Sequence, residues 1–182
     1  MKSGKLNVLW FDPGGTTGWC LYSCDLMVTD TPAYQRFEFY NEKWNQGELG
    51  PGAHHGQLWH LIGACHTDNF VLGCESFEFR QGKQRANIVL DSKEYIGVCK
   101  LYAELSNPTV PVVSVFQTAA TGKGFWYPKK RGTQQRDATK LKAVGLYTPG
   151  STHMNDATAH TLHWLTEGPF KRREWIEMLK GV

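Results

Sequence analysis

Three acidic residues occupy positions from which a folded chain could bring them together. Asp12 ends the first apolar run, Glu75 directly follows the apolar residues 71–74, and Asp156 lies near the start of the last helical segment. The carboxyl ends of parallel strands meet at one edge of an open sheet, where such sheets bind ligands. Carboxylates gathered there repel one another unless a cation neutralises them. Mg²⁺ is a hard ion that prefers oxygen ligands, so these residues predict a metal site.

A metal site of this kind suits the hydrolysis of phosphodiesters. Two divalent ions about 4 Å apart can activate a water molecule and stabilise the leaving oxygen, and we expect Asp12 to bridge them. His153 precedes Asp156 by three residues, so both side chains can lie on one helix face. A neutral imidazole there could bind a metal or move a proton. His160 follows Asp156 by four residues and is a weaker candidate for a supporting partner.

Each of these residues also has an ordinary structural interpretation. Asp12 precedes Pro-Gly-Gly and could simply form a turn, and Asp156 could cap a helix or lie in its first turn. A lone histidine such as His153 is more often structural or exposed than a ligand. Glu75 is the hardest to explain in this way, because it directly follows a run typical of a buried strand.

Basic residues are concentrated in one segment, although the formal net charge is only +3. The segment contains a single acid, Asp137, among seven cations: Lys123, Lys129, Lys130, Arg131, Arg136, Lys140 and Lys142. Such clustering is typical of a phosphate-binding surface. A solvated loop explains it equally well.

A second segment, directly after Glu75, alternates aromatic and cationic residues. Its members are Phe77, Phe79, Arg80, Lys83 and Arg85. Rings can stack on exposed bases while cations hold phosphates, so this composition suits a DNA surface. One of the two rings could instead continue the core face of the strand, and Phe77 is the favoured DNA contact.

The elements that must position these residues follow from the apolar patterns. Strands are predicted at 6–11, 18–22, 35–40, 70–74 and 110–116, and helices at 53–66, 93–105, 134–144 and from 155. The stretches 23–34 and 41–52 are predicted to be irregular, and a Gly- and Lys-rich loop should follow 116. Residues 171–179 predict a docked amphipathic helix. This order favours an α/β chain with a mixed sheet and helices on its faces.

Composition limits the class of protein. A chain of 182 residues can form one sizeable core, which predicts a single domain over residues 1–182. No apolar stretch approaches a membrane span. We expect no secretory leader, because residues 1–5 are polar and the apolar run after them is short. The five scattered cysteines favour reduced thiols over disulfides or a zinc site, and hence a cytoplasmic location.

Four segments resemble the RuvC-type Holliday-junction resolvases. VLWFDPGGTTGWCLY is similar to the opening of that family, whose first strand ends in an Asp-Pro-Gly turn followed by Thr-Gly-Trp. VLGCESFEF resembles the second acidic strand of the family, and FQTAATGKG the segment that leads to its basic DNA-binding loop. HMNDATAHTLHWL resembles the final helix, where an acid or histidine precedes an Asp by three places. The motifs occur in the family's order and span nearly the whole chain.

The resemblance implies an RNase H-like fold with a five-stranded mixed sheet, a homodimer, Mg²⁺ or Mn²⁺, and paired nicking of four-way DNA junctions. It assigns the metal roles to Asp12, Glu75, His153 and Asp156. It also implies two basic residues near the scissile phosphate or the DNA backbone, for which Lys123 and either Lys140 or Lys142 are the best matches. A bacterium or a phage-infected host cell is the expected setting.

Several other functions remain open. Sugar kinases and actin-like ATPases open with a similar acidic, Gly- and Thr-rich hairpin, but they need two lobes, and this chain supplies one. A catalytically silent protein that binds DNA junctions is an alternative from a different class. Within the nuclease interpretation, a broader enzyme that cuts forks and flaps would share the same site, and the fold also permits cleavage of RNA–DNA hybrids.

Overall fold

The computed structural model describes residues 1–30, 35–50, 55–76, 86–106, 112–133 and 135–180, without the side chains of residues 30 and 86–91. Its strands are β1 (Gly4–Asp12), β2 (Thr17–Asp30), β3 (Gln35–Leu49), β4 (Asn69–Ser76) and β5 (Val112–Thr118). Its helices are α1 (His55–Cys65), α2 (Ala86–Leu105), α3 (Ala119–Trp126), α4 (Thr139–Ala143), α5 (Thr152–Glu167) and α6 (Glu174–Glu177).

The five strands form one mixed sheet in the order β3-β2-β1-β4-β5. β1 pairs antiparallel with β2, which pairs antiparallel with β3. On the other side, β1 pairs parallel with β4, and β4 pairs parallel with β5. This five-stranded mixed sheet flanked by helices is the RNase H-like arrangement, and it confirms the predicted fold class.

Both faces of β1 are buried, so its side chains alternate between two cores. Leu6, Val8 and Trp10 pack in a cluster with Trp164 and Leu165 of α5. Leu9 and Phe11 face the opposite side, where α1 and α2 cover the sheet. The central strand therefore lies between two layers of helices, and its last residue, Asp12, is itself buried at the end of the strand.

The β2–β3 hairpin is much longer than the sequence predicts. β2 continues to Asp30 through a stretch predicted to be irregular, and β3 continues to Leu49 through most of the predicted loop at 41–52. The pairing register shifts between Ser23 and Asp25, where the ladder is irregular. Most of β3 is exposed or only partly buried. Residues 35–40 alternate polar and aromatic side chains, as predicted, but residues 41–49 lack the apolar alternation that identifies a strand, and pairing with β2 fixes them instead.

The helices differ from the predictions mainly near the basic segment. α3 occupies residues predicted to form a Gly- and Lys-rich loop, and the helix predicted at 134–144 is reduced to the five residues of α4. α5 begins at Thr152, three residues earlier than predicted. The C-terminal segment predicted as a docked amphipathic helix does dock, because Trp175, Ile176 and Leu179 pack on a core cluster of α3, α4 and α5, but its helix α6 spans only Glu174–Glu177.

Two further properties bear on the predicted class. All five cysteines are buried and free of disulfides. In the part of the chain that the structure describes, no helix is long and apolar enough to cross a membrane.

Gly73 of β4 lies directly against the indole ring of Trp10, and a Cβ atom at this position would overlap the ring. We therefore expect Gly73→Ala to lower the free energy of unfolding by about 1–3 kcal/mol, the usual cost of overpacking a core. Gly97 of α2 is the matched control, since a Cβ atom added there would meet nothing within 4 Å. Gly97→Ala should be neutral or stabilise the helix by up to about 1 kcal/mol. Urea unfolding measures both, and equal stabilities would contradict the packing argument.

Candidate active site

Asp12 and Glu75 reach the same edge of the sheet because their strands are parallel neighbours. Phe11 pairs with Cys74 in the β1–β4 ladder, so the next residues, Asp12 and Glu75, lie at the same level of the sheet. The two carboxyl groups both contact the ammonium group of Lys123. The third acid, Asp156, comes from α5, where it is the fifth helical residue and so lies beyond the first turn. The three acids that the sequence singled out do converge.

Lys123 of α3 lies at the centre of this cluster. Its Nζ atom is 2.8 Å from Oδ1 of Asp12 and 2.7 Å from Oδ2 of Asp156, and it also contacts Oε2 of Glu75. The lysine side chain is only 8% exposed. One buried ammonium group therefore contacts all three carboxylates and offsets part of their negative charge. The sequence resemblance implies a basic residue near the scissile phosphate, for which Lys123 is the best match.

His153 lies at the rim of the cluster. Its Nδ1 atom is 2.8 Å from Oδ2 of Asp12, and its side chain is 40% exposed. The ring therefore has one nitrogen directed at a carboxylate and substantial access to solvent. This position suits a group that binds a ligand or moves a proton at the edge of the site.

The start of α5 is held against the end of the β2–β3 hairpin. Gly18 of β2 faces the backbone of His153, and a Cβ atom there would overlap the His153 carbonyl group. Ser151 caps the helix by accepting a hydrogen bond from the backbone of Met154, and its hydroxyl donates to Glu48 of β3. Gly18 thus allows α5 to pack closely against β2. Glu48, in the part of β3 that the sequence did not predict, helps to fix the start of α5, which carries His153 and Asp156.

His160 lies behind the carboxylates and is completely buried. Its Nε2 atom is 3.2 Å from Oε2 of Glu75, and its Nδ1 atom is 3.0 Å from Oε1 of Gln117. The ring stacks on Trp10 with an interplanar angle of 2°. The sequence suggested His160 as a supporting partner of Asp156, whereas its observed contact is with Glu75.

Burial dominates the electrostatics of the site. It raises the pKa of Asp12 and of Asp156 above the ordinary range, although the Lys123 charge acts to lower both. Burial opposes the charge on Lys123, but the attraction of the three carboxylates outweighs it and raises the pKa of the ammonium group. The hydrogen bond to Asp12 raises the pKa of His153, and burial lowers that of His160 to about 4.

The donor set fits a hard divalent cation. Asp12, Glu75 and Asp156 supply carboxylate oxygens, which are the ligands that Mg²⁺ and Mn²⁺ prefer. Oδ1 of Asp156 is buried and has no hydrogen-bond partner within the described ranges, so it is available as a ligand. Among those same residues, no group of three or more acidic, His or Cys side chains has the arrangement of a formed metal centre. In this structure, the Lys123 ammonium group lies among the carboxylates.

The other basic residues divide into two groups. Arg136 lies beside the site, 3.6 Å from Oδ2 of Asp156, and donates a hydrogen bond to the carbonyl oxygen of Tyr127. Lys140 and Lys142, the candidates for the second cation, instead lie over the rings of Phe125 and Tyr147. Within the described residues, the cation that lies near the carboxylates besides Lys123 is Arg136. The sequence places it only within the DNA-binding segment.

Lys129, Lys130 and Arg131 are exposed on a short hairpin, the basic hairpin (residues 128–133 and 135–137). The backbones of Lys129 and Arg136 form an isolated antiparallel β-bridge across the hairpin. The backbone N–H of Asp137 donates a hydrogen bond to the carbonyl oxygen of Pro128 and joins the two ends of the hairpin. Because Arg136 belongs to the same hairpin, the exposed cations are tied to the edge of the site. The predicted DNA contacts Phe77, Phe79, Arg80, Lys83 and Arg85 lie outside the described residues.

No protein-family model matches the chain, and no curated protein matches it. Among solved structures, the chain is similar to Thermus thermophilus RuvC in complex with Holliday junction substrate, with 14% identity, 91% of this chain and 97% of that chain covered, and a TM-score of 0.49. It is also similar to a second Thermus thermophilus RuvC structure, with 15% identity, coverages of 89% and 96%, and a TM-score of 0.47. Both are structures of the family that the sequence motifs resemble. The fold class is assigned from the order of the strands in the sheet and from their parallel and antiparallel pairing.

Removal of the central ammonium group should expose the repulsion among the carboxylates. We expect Lys123→Met to lower the free energy of unfolding by about 3–5 kcal/mol, the cost of removing one partner of a buried ion pair. Addition of Mg²⁺ or Mn²⁺ should restore part of this loss, because an ion bound to the native state stabilises it.

Urea unfolding with EDTA or with metal measures both effects. Lys43→Met is the control, since Lys43 is exposed on β3, and its effect should stay within about 0.5 kcal/mol. A Lys123→Met protein as stable as the unmodified one in EDTA would refute the assignment of Lys123 as the neutralising charge.

Proposed function

We propose that the protein is a divalent-metal-dependent endonuclease that nicks branched DNA and resolves four-way junctions by paired, symmetric hydrolysis of phosphodiesters. The observation that carries the proposal is the convergence of three acids from β1, β4 and α5 on one buried point at the carboxyl edge of the sheet. Buried carboxylates are costly to hold together. A structural role alone gives no reason to gather three of them beside exposed cations.

The residues of the chain have distinct roles in this proposal. Asp12, Glu75, His153 and Asp156 would hold Mg²⁺ or Mn²⁺. When bound, the metal lowers the pKa of a water molecule and neutralises charge on the phosphate. Lys123 and Arg136 offer positive charge to the phosphate that is cut. His153 is accessible and bonded to Asp12 through Nδ1, so its Nε2 atom is suited to bind the metal or, where it does not bind the metal, to hold or release a proton at the rim.

The preference for branched DNA rests on the surroundings of the site. The basic hairpin presents Lys129, Lys130 and Arg131 to solvent next to Arg136, which supports contacts to more than one phosphate. The four family-like motifs favour four-way junctions over RNA–DNA hybrids. A homodimer is part of the proposal, because two symmetric cuts require two sites related by a two-fold axis. On α2, Leu101 and Leu105 are 49% and 68% exposed, which supports this helix as one side of the interface.

Two alternatives share the same residues. A broader structure-selective nuclease would use the same site on forks and flaps. A catalytically silent junction-binding protein is favoured by a specific observation: Lys123 already pairs with all three carboxylates, so the site is electrically compensated to some extent without a metal. In that case the cluster would serve only to hold α3 and α5 on the sheet.

The first test compares cleavage of a labelled four-way junction, fork, flap, linear duplex and RNA–DNA hybrid, each with Mg²⁺, Mn²⁺ or EDTA. We expect metal-dependent cuts at symmetric positions in the junction. Asp12→Asn should reduce the cleavage rate by more than about 100-fold, the upper end of what loss of an outer partner costs a metal site, while junction binding persists. Asp25→Asn is the control, since Asp25 is an exposed residue on β2.

The outcomes separate the alternatives. Equal cleavage of junctions, forks and flaps would keep the site and widen the substrate range. Tight junction binding without cleavage under any metal would refute the nuclease and support the binding protein.

The basic hairpin should contribute to DNA affinity through phosphate contacts alone. We expect the double variant Lys130→Ala and Arg131→Ala to weaken binding to all DNA sequences similarly and to reduce the slope of log Kobs against log salt by about 1 per lost contact. The control is Lys5→Ala with Lys43→Ala, which removes the same charge from exposed positions of β1 and β3. Titrations by fluorescence anisotropy at several salt concentrations measure the slope. Equal slopes for the two double variants would show that the hairpin does not contact DNA.

A further inference from the structure

The hydrogen bonds around His160 present a conflict of donors and acceptors. The buried ring lies between two oxygen atoms, Oε1 of Gln117 at 3.0 Å from Nδ1 and Oε2 of Glu75 at 3.2 Å from Nε2. A neutral imidazole has a single N–H and can donate to only one of them. The oxygen and nitrogen of a glutamine side-chain amide are interchangeable by a half-turn, so the hydrogen-bond network has to decide between them.

Three features of the surroundings select one solution. The ring is completely buried and stacked on Trp10, which disfavours a charged imidazolium. Lys123 already supplies the positive charge that contacts Oε2 of Glu75, so this oxygen acts as a carboxylate acceptor. Glu75 can therefore receive a hydrogen bond from His160, and Nδ1 must then accept one from Gln117.

We propose that Gln117 is a positioning residue: its amide NH₂ group donates to Nδ1 of His160, holds the ring proton on Nε2, and thereby directs that proton to Glu75 and orients the carboxylate. The inference deepens the proposed function, on which it rests, because it names what fixes the β4 ligand of the metal site. Outer partners of this kind set the orientation of metal ligands and affect metal affinity by about 10–100-fold.

The ring of His160 is closely packed by several elements. Gln117 pairs with Glu75 in the β4–β5 ladder, so the two residues that bond His160 are neighbours on adjacent strands. Gly122 of α3 also packs closely against His160, where a Cβ atom would lie 2.6 Å from Nδ1. The ring thus has no room to turn, and its only adjustable property is which nitrogen carries the proton.

Gln117→Glu tests this directly, because it keeps the shape of the side chain and replaces the donor with an acceptor. The ring proton should then move from Nε2 to Nδ1, which removes the hydrogen bond to Glu75. ¹⁵N NMR of metal-free, histidine-labelled full-length protein reads the tautomer, with His160 assigned through its contacts with Trp10. We expect the Nε2–H form in the unmodified protein and the Nδ1–H form in the variant. A proton on Nδ1 in the unmodified protein, or an Nδ1 atom that stays unprotonated in the variant, would overturn the proposal.

Calorimetric titration with Mn²⁺ gives a second readout, because the direction of the change in Mn²⁺ affinity is informative. The extra negative charge of Gln117→Glu would by itself strengthen cation binding, whereas the loss of the bond to Glu75 should weaken it by about 10–100-fold. Gln57→Glu, at an exposed position on α1, is the charge control. Tighter Mn²⁺ binding by Gln117→Glu would contradict the positioning role. The tautomer is measured without metal or DNA, so an absence of nuclease activity with the expected tautomers would refute the proposed function alone.

Discussion

The contact of one buried lysine with three carboxylates is the interaction on which the rest of the structure depends. Charges are costly to remove from water, and a buried ion pair is favourable only when its geometry is good and its remaining atoms are bonded. Lys123 contacts Asp12, Glu75 and Asp156 at once, while Oδ1 of Asp156 stays buried without a hydrogen-bond partner among the described residues. Because the four residues come from β1, β4, α3 and α5, the same contact that compensates the charges also ties two helices to the centre of the sheet.

Close backbone packing makes this convergence possible. Gly18 lets the start of α5 approach β2, and Gly122 lets α3 approach the ring of His160. At both positions a side chain would push the helix outward and move an ion-pair partner with it. The polar site is therefore built into the packing, and α5 is buried along most of its length although it carries Asp156 and His160 in its middle. Stability and the candidate chemistry use the same contacts.

The sequence predicted those parts of the site that leave a local signal. Asp12 and Glu75 follow apolar runs, and the parallel pairing of β1 with β4 brings such residues together in any open sheet. Gln117 and Arg136 left no such signal, because a glutamine in a strand and an arginine in a basic segment are ordinary, and only the packing directs them to the site. The same holds for the fold: the mixed sheet was predictable, whereas the length of β3 depends on pairing with β2, and α3 forms in a segment whose glycines suggested a loop.

The charge balance of the site also bears on how DNA would be bound under the proposed function. Three carboxylates face one ammonium group and, at 3.6 Å, one guanidinium group, so a phosphate that approached the metal-free cluster would meet a surface of unfavourable or neutral charge. The exposed cations of the basic hairpin carry no such penalty and can hold the DNA backbone without metal. Binding and cleavage would therefore depend on different parts of one surface. A divalent ion would admit the scissile phosphate to the cluster, while the hairpin keeps the remaining backbone in place whether or not the ion is bound.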